Sequence, residues 1–155
     1  MTGERDLGRL LAQLAPRLDP ELWAFITLAE PPAGVTPLMT FREDEGLTCI
    51  VTADAAARLG ARSAPVFRRI TLGVTSSLQA VGLTAAVAGA LAEAGISANV
   101  VAAFHHDHVF VPADRAAEAT ACLARLGADC GSQPGAPLTP VETKLISGRS
   151  LIIDQ

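Results

Sequence analysis

Apolar residues recur along the chain with the spacing of helices in some segments and of strands in others. An N-terminal set at positions i, i+3, i+4 and i+7 forms one helical stripe. Its members are Leu7, Leu10, Leu11 and Leu14. Pro16 should end this helix, because the residue before a proline avoids helical backbone angles. Buried strands are then predicted at 21–30 and 47–52, a short helix at 53–60 and a linker at 61–65.

The periodicity is clearer in the second half of the chain. Alternating apolar residues predict a half-buried strand, and they are Ile70, Leu72 and Val74. The following run "LTAAVAGALAEAG" has helical spacing, with Gly95 as a predicted C-cap. Two further strands are predicted at 97–106 and 108–112, and a helix ending at Gly127 follows them. This β-α-β-β-α order is five-sixths of the split βαβ, ferredoxin-like pattern.

The order of elements predicts an α+β fold of two ferredoxin-like βαββαβ units, with antiparallel sheets packed by helices on one face. We expect a degenerate N-terminal unit at 1–65, a C-terminal unit at 66–130 and a tail at 131–155. A late hairpin in the tail, "TKLISGRSLIID", is one source for the missing last strand. The two middle strands are apolar on both faces. The face without helices should therefore be covered by the N-terminal half or by a second chain.

Composition narrows the class of protein. Half of the 155 residues are hydrophobic but only 4% are aromatic, so aliphatic side chains must fill the core. The net charge of −4 and the single lysine, Lys144, argue against nucleic acid as a partner. Three cysteines without a C-x-x-C spacing indicate reduced thiols, and the N-terminus has no apolar leader, so we expect a cytoplasmic protein. The uncharged stretch 70–92 is broken by polar residues and changes period, so we expect no membrane span.

Side chains that could bind a metal or act in catalysis are concentrated in "AFHHDHVFVP", which contains all three histidines and an aspartate. A zinc site needs three or four converging ligands, and no second cluster of such residues lies nearby in sequence. His106, Asp107 and His108 fall where one strand must reverse into the next, and tight turns favour aspartate. We therefore predict a hairpin turn there and assign no metal ligand. Contact with a partner chain remains open for His106 and His108.

Two segments resemble a known family. The run "RRITLGVTSSLQAVGLTAAVAGALAEAGISANVVAAFHHDHVFVP" closely resembles the second ACT domain of small bacterial tandem-ACT proteins, and "FREDEGLTCIV" resembles the matching part of the first. The resemblance covers residues 7–127. It implies βαββαβ modules that bind small effectors, most often amino acids, and it also implies a homodimer. Such domains are usually attached to enzymes of amino-acid metabolism, whereas this sequence shows no catalytic domain.

The resemblance places a ligand where two ACT units meet, near the loop after the first strand and the start of the first helix. The sequence has suitable groups there, because a helix start presents unpaired N–H groups to a carboxylate and the loop adds serine hydroxyls. A glycine allows close backbone approach, and the acidic run at 42–45 offers carboxylates for an ammonium group. The predicted ligand-binding residues are Thr75, Ser76, Ser77, Leu78, Val81, Gly82, Leu83, Asn99, Val100, Glu43 and Glu45.

The leading hypothesis is a cytoplasmic, non-enzymatic sensor that binds an amino acid or a similar small metabolite. The alternative is an interaction module that dimerises through its sheet without a small ligand. The third hypothesis is a small metalloenzyme that uses the histidines. The chain has no G-x-S-x-G, Walker or G-x-G-x-x-G motif. We therefore assign no catalytic residue and no cofactor.

Overall fold

The computed structural model of the chain describes residues 3–62 and 64–131, which form four α-helices and six β-strands. The predicted hairpin at 143–154 and the rest of the tail beyond residue 131 lie outside the described residues. In chain order the elements are α1 (Leu7–Ala12), β1 (Pro16–Leu28), β2 (Met39–Glu43), β3 (Gly46–Thr52), α2 (Ala53–Arg58), β4 (Val66–Leu72), α3 (Leu83–Glu93), β5 (Asn99–Ala102), β6 (Asp107–Pro112) and α4 (Ala116–Gly131).

The six strands form one antiparallel sheet in the order β2-β3-β1-β4-β6-β5. Strands β1 to β4 lie in the order of a ferredoxin-like unit. Strands β4, β6 and β5 repeat the first three positions of that order, and β1 occupies the place of the fourth. The two central strands thus serve both units, and β1 supplies the strand that the C-terminal unit lacks in sequence. The predicted α+β fold with ferredoxin-like units and an antiparallel sheet is confirmed.

Strand β1 is longer than predicted, because it begins at Pro16. A proline is tolerated as the first residue of a strand, and the left-handed Ala15 before it, at φ +38°, turns the chain out of α1. In the pairing with β4, Leu18 faces Ile70 and the register then slips by two residues before Leu22. A slip of two keeps the same residues on the same face, so Leu18 before the slip and Ala24 and Ile26 after it all lie on the face that the helices cover.

The helices cover one face of the sheet, and the main core lies between them and β4 and β6. The N-terminal apolar stripe is buried as predicted, with Leu10, Leu11 and Leu14 each at most 1% exposed. Gly127 is not the C-cap that we predicted, since α4 continues past it to residue 131. A Cβ atom at Gly127 would lie 3.1 Å from the carbonyl oxygen of Leu11. Gly127 therefore allows α4 to approach α1 closely.

The N-terminal unit departs from the βαββαβ pattern. No helix occurs in the described residues 29–38, between β1 and β2. Pro31, Pro32 and Pro37 explain this, because proline removes a helical hydrogen bond and clashes with the preceding turn. Sequence reasoning also missed β2, which pairs with β3 around a tight turn at 44–45. The acidic run is the tip of that hairpin.

The other face of the sheet carries an aromatic cluster of Phe25, Phe67 and Phe110. Phe25 meets both of the others edge to face, with ring centroids 5.4 Å from Phe67 and 5.3 Å from Phe110. We expected the N-terminal half to cover this face as one alternative, but it lies beside the C-terminal half in the same sheet. Phe110 is only 1% exposed, and the Phe25 ring packs edge to face against it. Coverage by a second chain remains a prediction.

An ion pair joins the two shared strands on this same face. The Arg69 guanidinium donates to Asp19 Oδ2 at 2.5 Å and lies 5.3 Å over the ring of Trp23. Burial opposes ionisation of Asp19. The backbone N–H of Glu21 and the Arg69 guanidinium outweigh that effect and lower the pKa of the Asp19 carboxyl below its usual value.

Candidate functional site

A small cleft opens between the loop after β4, the first turn of α3 and the adjoining ends of β5 and β6. It encloses about 70 Å³. The lining residues are Ser76, Ser77, Leu78, Ala80, Leu83, Thr84, Ala102 and Asp107. The cleft thus lies at the strand-to-helix junction where the sequence predicted a ligand.

The start of α3 leaves hydrogen-bond donors at this cleft. Gly82 precedes the helix in a left-handed conformation, at φ +99°, and no side chain caps the first turn. A Cβ atom there would lie 2.8 Å from the Leu7 side chain, so both the backbone angle and the space favour glycine. The first N–H groups of a helix have no partner within it, and they carry the positive end of the helix dipole. Leu83 and Thr84, the first two residues of α3, line the cleft.

A buried polar pair forms part of the cleft wall. Ser76 and Asp107 are each 7% exposed, and the Ser76 hydroxyl donates to Asp107 Oδ2 at 3.2 Å. Across residues 3–62 and 64–129, these are the only buried side chains that are polar or charged. Burying polar groups costs free energy unless they are paired, and this hydrogen bond pairs the two side chains at the cleft.

The prediction that Asp107 lies in the hairpin turn is wrong. Strand β5 ends at Ala102, the turn spans 103–106, and the Ala103 N–H donates to the carbonyl of His106 at 3.2 Å. Asp107 opens β6 opposite Ala102 and alternates inward with Val109 and Val111. The turn is shifted by about two residues, and the aspartate therefore faces the cleft side of the sheet.

The three histidines have separate surroundings. His106 Nδ1 donates to a backbone carbonyl of the loop after β4 at 3.0 Å, while His108 Nδ1 lies 3.0 Å from Thr71 Oγ1. Burial, together with the positive charge of Arg69, lowers the pKa of His108 below its usual value. His105 is exposed at the hairpin tip. In the part of the chain that the structure describes, no group of three or more His, Cys, Asp or Glu side chains is arranged to hold a metal ion.

The structure brings some of the predicted ligand-binding residues together. Ser76, Ser77, Leu78 and Leu83 line the cleft. Gly82 shapes the helix start behind them. Thr75 and Val81 lie in the same loop, exposed and outside the lining.

The remaining predicted residues lie elsewhere. Asn99 and Val100 start β5, whereas the cleft meets the other end of that strand at Ala102. Glu43 and Glu45 are exposed on the β2–β3 hairpin, at the opposite edge of the sheet from β5. Four strand spacings separate β2 from β6, which is about 19 Å at roughly 4.8 Å per strand. Glu43 and Glu45 therefore cannot reach a ligand in the cleft of their own chain.

Sequence reasoning missed four lining residues, which are Ala80, Thr84, Ala102 and Asp107. Thr84 follows Leu83 in the first helical turn, where any ligand at a helix start would meet it. The signal for Asp107 was its two-residue spacing from Val109 and Val111, which places it on their face of the strand. We assigned Asp107 to the turn instead, because aspartate is favoured in tight turns.

Comparison with protein families gives two adjacent matches. An ACT domain model matches residues 2–68 and another matches residues 63–125. The chain belongs to the ACT-domain family. ACT domains are generally regulatory modules for small molecules. The two matches overlap at residues 63–68, where β4 begins, in keeping with a strand that serves both ACT units.

Several solved structures are similar to this fold. A Vibrio cholerae protein of unknown function, described as a possible transport protein, is 45% identical with a TM-score of 0.69, covering 74% of this chain and 91% of its own. The ligand-free regulatory subunit of aspartate kinase from Thermus thermophilus has a TM-score of 0.56 at 14% identity, with 74% and 97% covered. An Agrobacterium tumefaciens protein has a TM-score of 0.53 at 21% identity, with 68% and 81% covered. The last two show the fold alone.

A search of curated proteins gave no match. Among the helices in the described residues, none has the length and apolar character needed to cross a membrane.

An N-terminal arm, residues 3–6, packs along the loop that forms the cleft of the C-terminal ACT unit. The Glu4 N–H donates to the Thr75 carbonyl at 3.0 Å, and the Ser77 N–H donates to the Glu4 carbonyl at 2.9 Å. Gly3 approaches the backbone of Ser76 so closely that a Cβ atom would lie 2.6 Å from its carbonyl carbon. The arm therefore holds the outer side of the loop whose inner side lines the cleft.

Gly3→Ala is expected to detach the N-terminal arm, because the new methyl group has no space against the Ser76 backbone. Loss of two hydrogen bonds at about 1 kcal/mol each should lower the free energy of unfolding by about 1–2 kcal/mol. Hydrogen exchange should become faster at the amides of Glu4 and Ser77. Gly8→Ala is the matched control, since it lies in α1 with its nearest neighbour at 3.4 Å and should gain helix propensity. Unchanged exchange at Ser77 would contradict the role of the arm.

Proposed function

We propose that this protein is a non-catalytic regulatory module that binds a small amino acid, or a similar metabolite, in the cleft at the start of α3. The observation that carries the proposal is the uncapped first turn of α3 opening onto a cleft lined by Ser76, Ser77 and Thr84. Free backbone N–H groups and hydroxyls together suit a carboxylate. Membership of the ACT family supports a regulatory role.

The size of the cleft favours the smallest amino acids. A cavity needs roughly 10–15 Å³ of volume for each water that it holds. The cleft volume of about 70 Å³ therefore suits a ligand the size of about five to seven waters. Glycine, alanine and serine match this volume. Larger side chains have to extend through the open mouth beside Leu78, which is 65% exposed.

A second candidate function is dimerisation through the open face of the sheet without a small ligand. The described helices all pack on the opposite face, and Phe41 on the open face is 63% exposed. An exposed aromatic on a sheet face is the kind of surface that protein partners cover. This candidate predicts a stable homodimer that does not respond to amino acids.

A thermal-shift screen of the twenty amino acids at millimolar concentration tests the proposal. A ligand present at 100 times its Kd should stabilise the protein by about 2.7 kcal/mol, which raises the melting temperature by several degrees. Ala102→Leu should remove this response by filling the cleft, and Ala85→Leu, exposed on α3 outside the cleft, should keep it. Absence of any shift, with a dimer seen by light scattering, would favour the second candidate.

A further inference from the structure

The cleft contains a buried carboxylate without a cationic partner. Asp107 is 7% exposed, and its carboxylate accepts one hydrogen bond, from Ser76, at Oδ2. Within residues 3–62 and 64–131, it forms no ion pair with any lysine or arginine. A buried carboxylate is costly unless positive charge or several hydrogen bonds compensate it. Since Asp107 lines the cleft, a ligand can provide the missing positive charge.

We infer that Asp107 binds the protonated amine of the ligand and makes the cleft selective for a small α-amino acid over the matching hydroxy acid. The inference rests on the proposed function and adds the residue that recognises the ammonium group. The first turn of α3 and the serine hydroxyls offer donors, and Asp107 offers an acceptor, around the same space of about 70 Å³. The carboxylate and ammonium groups of an α-amino acid are attached to one carbon, so a space this small can meet both.

Ser76 acts as a positioning residue for this carboxylate. A carboxylate has about four acceptor sites on its two oxygens, and the Ser76 hydroxyl uses one of them on Oδ2. This fixes the orientation of the Asp107 side chain while leaving other acceptor sites for an N–H donor. The N-terminal arm holds the backbone of the same loop through Ser77. The position of Asp107 thus depends on structure that is present before the ligand binds.

The test compares matched ligand pairs on the full chain by calorimetry. The pairs are glycine with glycolate, L-alanine with L-lactate and L-serine with L-glycerate, which differ in the amine alone. In the wild-type protein the preferred amino acid should bind at least about 30-fold more tightly than its hydroxy acid. Asp107→Asn, which is nearly isosteric and neutral, should weaken amino-acid binding by at least about 30-fold and leave the hydroxy acid nearly unchanged.

The controls separate this inference from the proposed function. Asp44→Asn removes the same charge at the exposed β2–β3 turn and should not alter binding. Thermal melting without ligand checks that Asp107→Asn is folded. If the asparagine variant does not fold, Asp107→Ser is used in its place. Equal affinity of wild type and variant for the amino acid, or equal binding of both members of each pair, overturns the inference but leaves the proposed function intact. Failure of all six compounds to bind overturns the inference, and the screen of all twenty amino acids then decides the proposed function. Stabilisation by calcium or magnesium alone overturns the assignment of an amine.

Discussion

A fragment of the chain that starts at residue 65 is expected to remain unfolded, although it contains a complete ACT match apart from its first two residues. Removing the preceding residues deletes β1, so β4 loses its whole hydrogen-bonded neighbour on one side. It also deletes α1, which packs against α3 and α4 in the main core. The C-terminal unit therefore loses an entire strand and one of its three covering helices.

The deleted leucines contribute much of the free energy that keeps such a small unit folded. Leu10, Leu11 and Leu14 are almost completely buried, and each buried leucine contributes about 1.5–3 kcal/mol. These three side chains alone represent a large part of the roughly 5–15 kcal/mol that stabilises a typical domain. The exposed edge of β4 would add an unpaired strand that favours aggregation.

Circular dichroism and the dispersion of amide resonances in NMR spectra would measure the folding of this fragment. Co-expression with a fragment of residues 1–64 is the matched control, because it returns β1 and α1 without a covalent link. We expect the two fragments to assemble and melt together. Cooperative unfolding of the C-terminal fragment by itself would show that the units are independent, as the sequence-based division at residue 65 suggested.

Local periodicity predicted most of the elements, because each pattern is set by which face of its own segment is buried. The leucine stripe of α1 and the helix ending before Gly95 are examples. Strand β1 was underestimated, since the pairing that extends it back to Pro16 is with residues more than fifty positions away. The same reason explains the missing last strand. A search along the sequence looked for it in the tail, whereas the fold takes it from the N-terminus.

The candidate site was likewise predicted only where its residues lie close together in sequence. The loop and helix start at Ser76, Ser77 and Leu83 were predicted, because glycine, hydroxyl residues and the change of period lie together in sequence. The carboxylate was not, because the choice between Glu43 and Asp107 depends on strand order. The hairpin of Glu43 lies at one edge of the sheet and β6 lies next to the other. Only the topology decides which carboxylate reaches the cleft.

Phe110→Ala is expected to lower the free energy of unfolding by about 3–5 kcal/mol. Phe110 is 1% exposed, and its ring meets Phe25 edge to face at 5.3 Å, while Phe25 meets Phe67 at 5.4 Å. Truncation leaves a cavity and removes an aromatic contact worth about 0.5–1.5 kcal/mol. In chemical denaturation the midpoint should fall with little change in slope.

The size of this loss tests whether the two ACT units form one cooperative structure. The aromatic cluster bridges β1, β4 and β6, so it links the strands that the units share to a strand of the C-terminal unit alone. Phe104→Ala is the matched control, since that ring is 73% exposed at the hairpin tip and its loss should change stability by less than about 0.5 kcal/mol. If the units share one core, Phe110→Ala should shift a single transition seen equally by Trp23 fluorescence in β1 and by far-ultraviolet circular dichroism. Two separate transitions, or a loss below about 1 kcal/mol, would mean that the cluster does not couple the units, and the shared strands would then be neighbours without a common core.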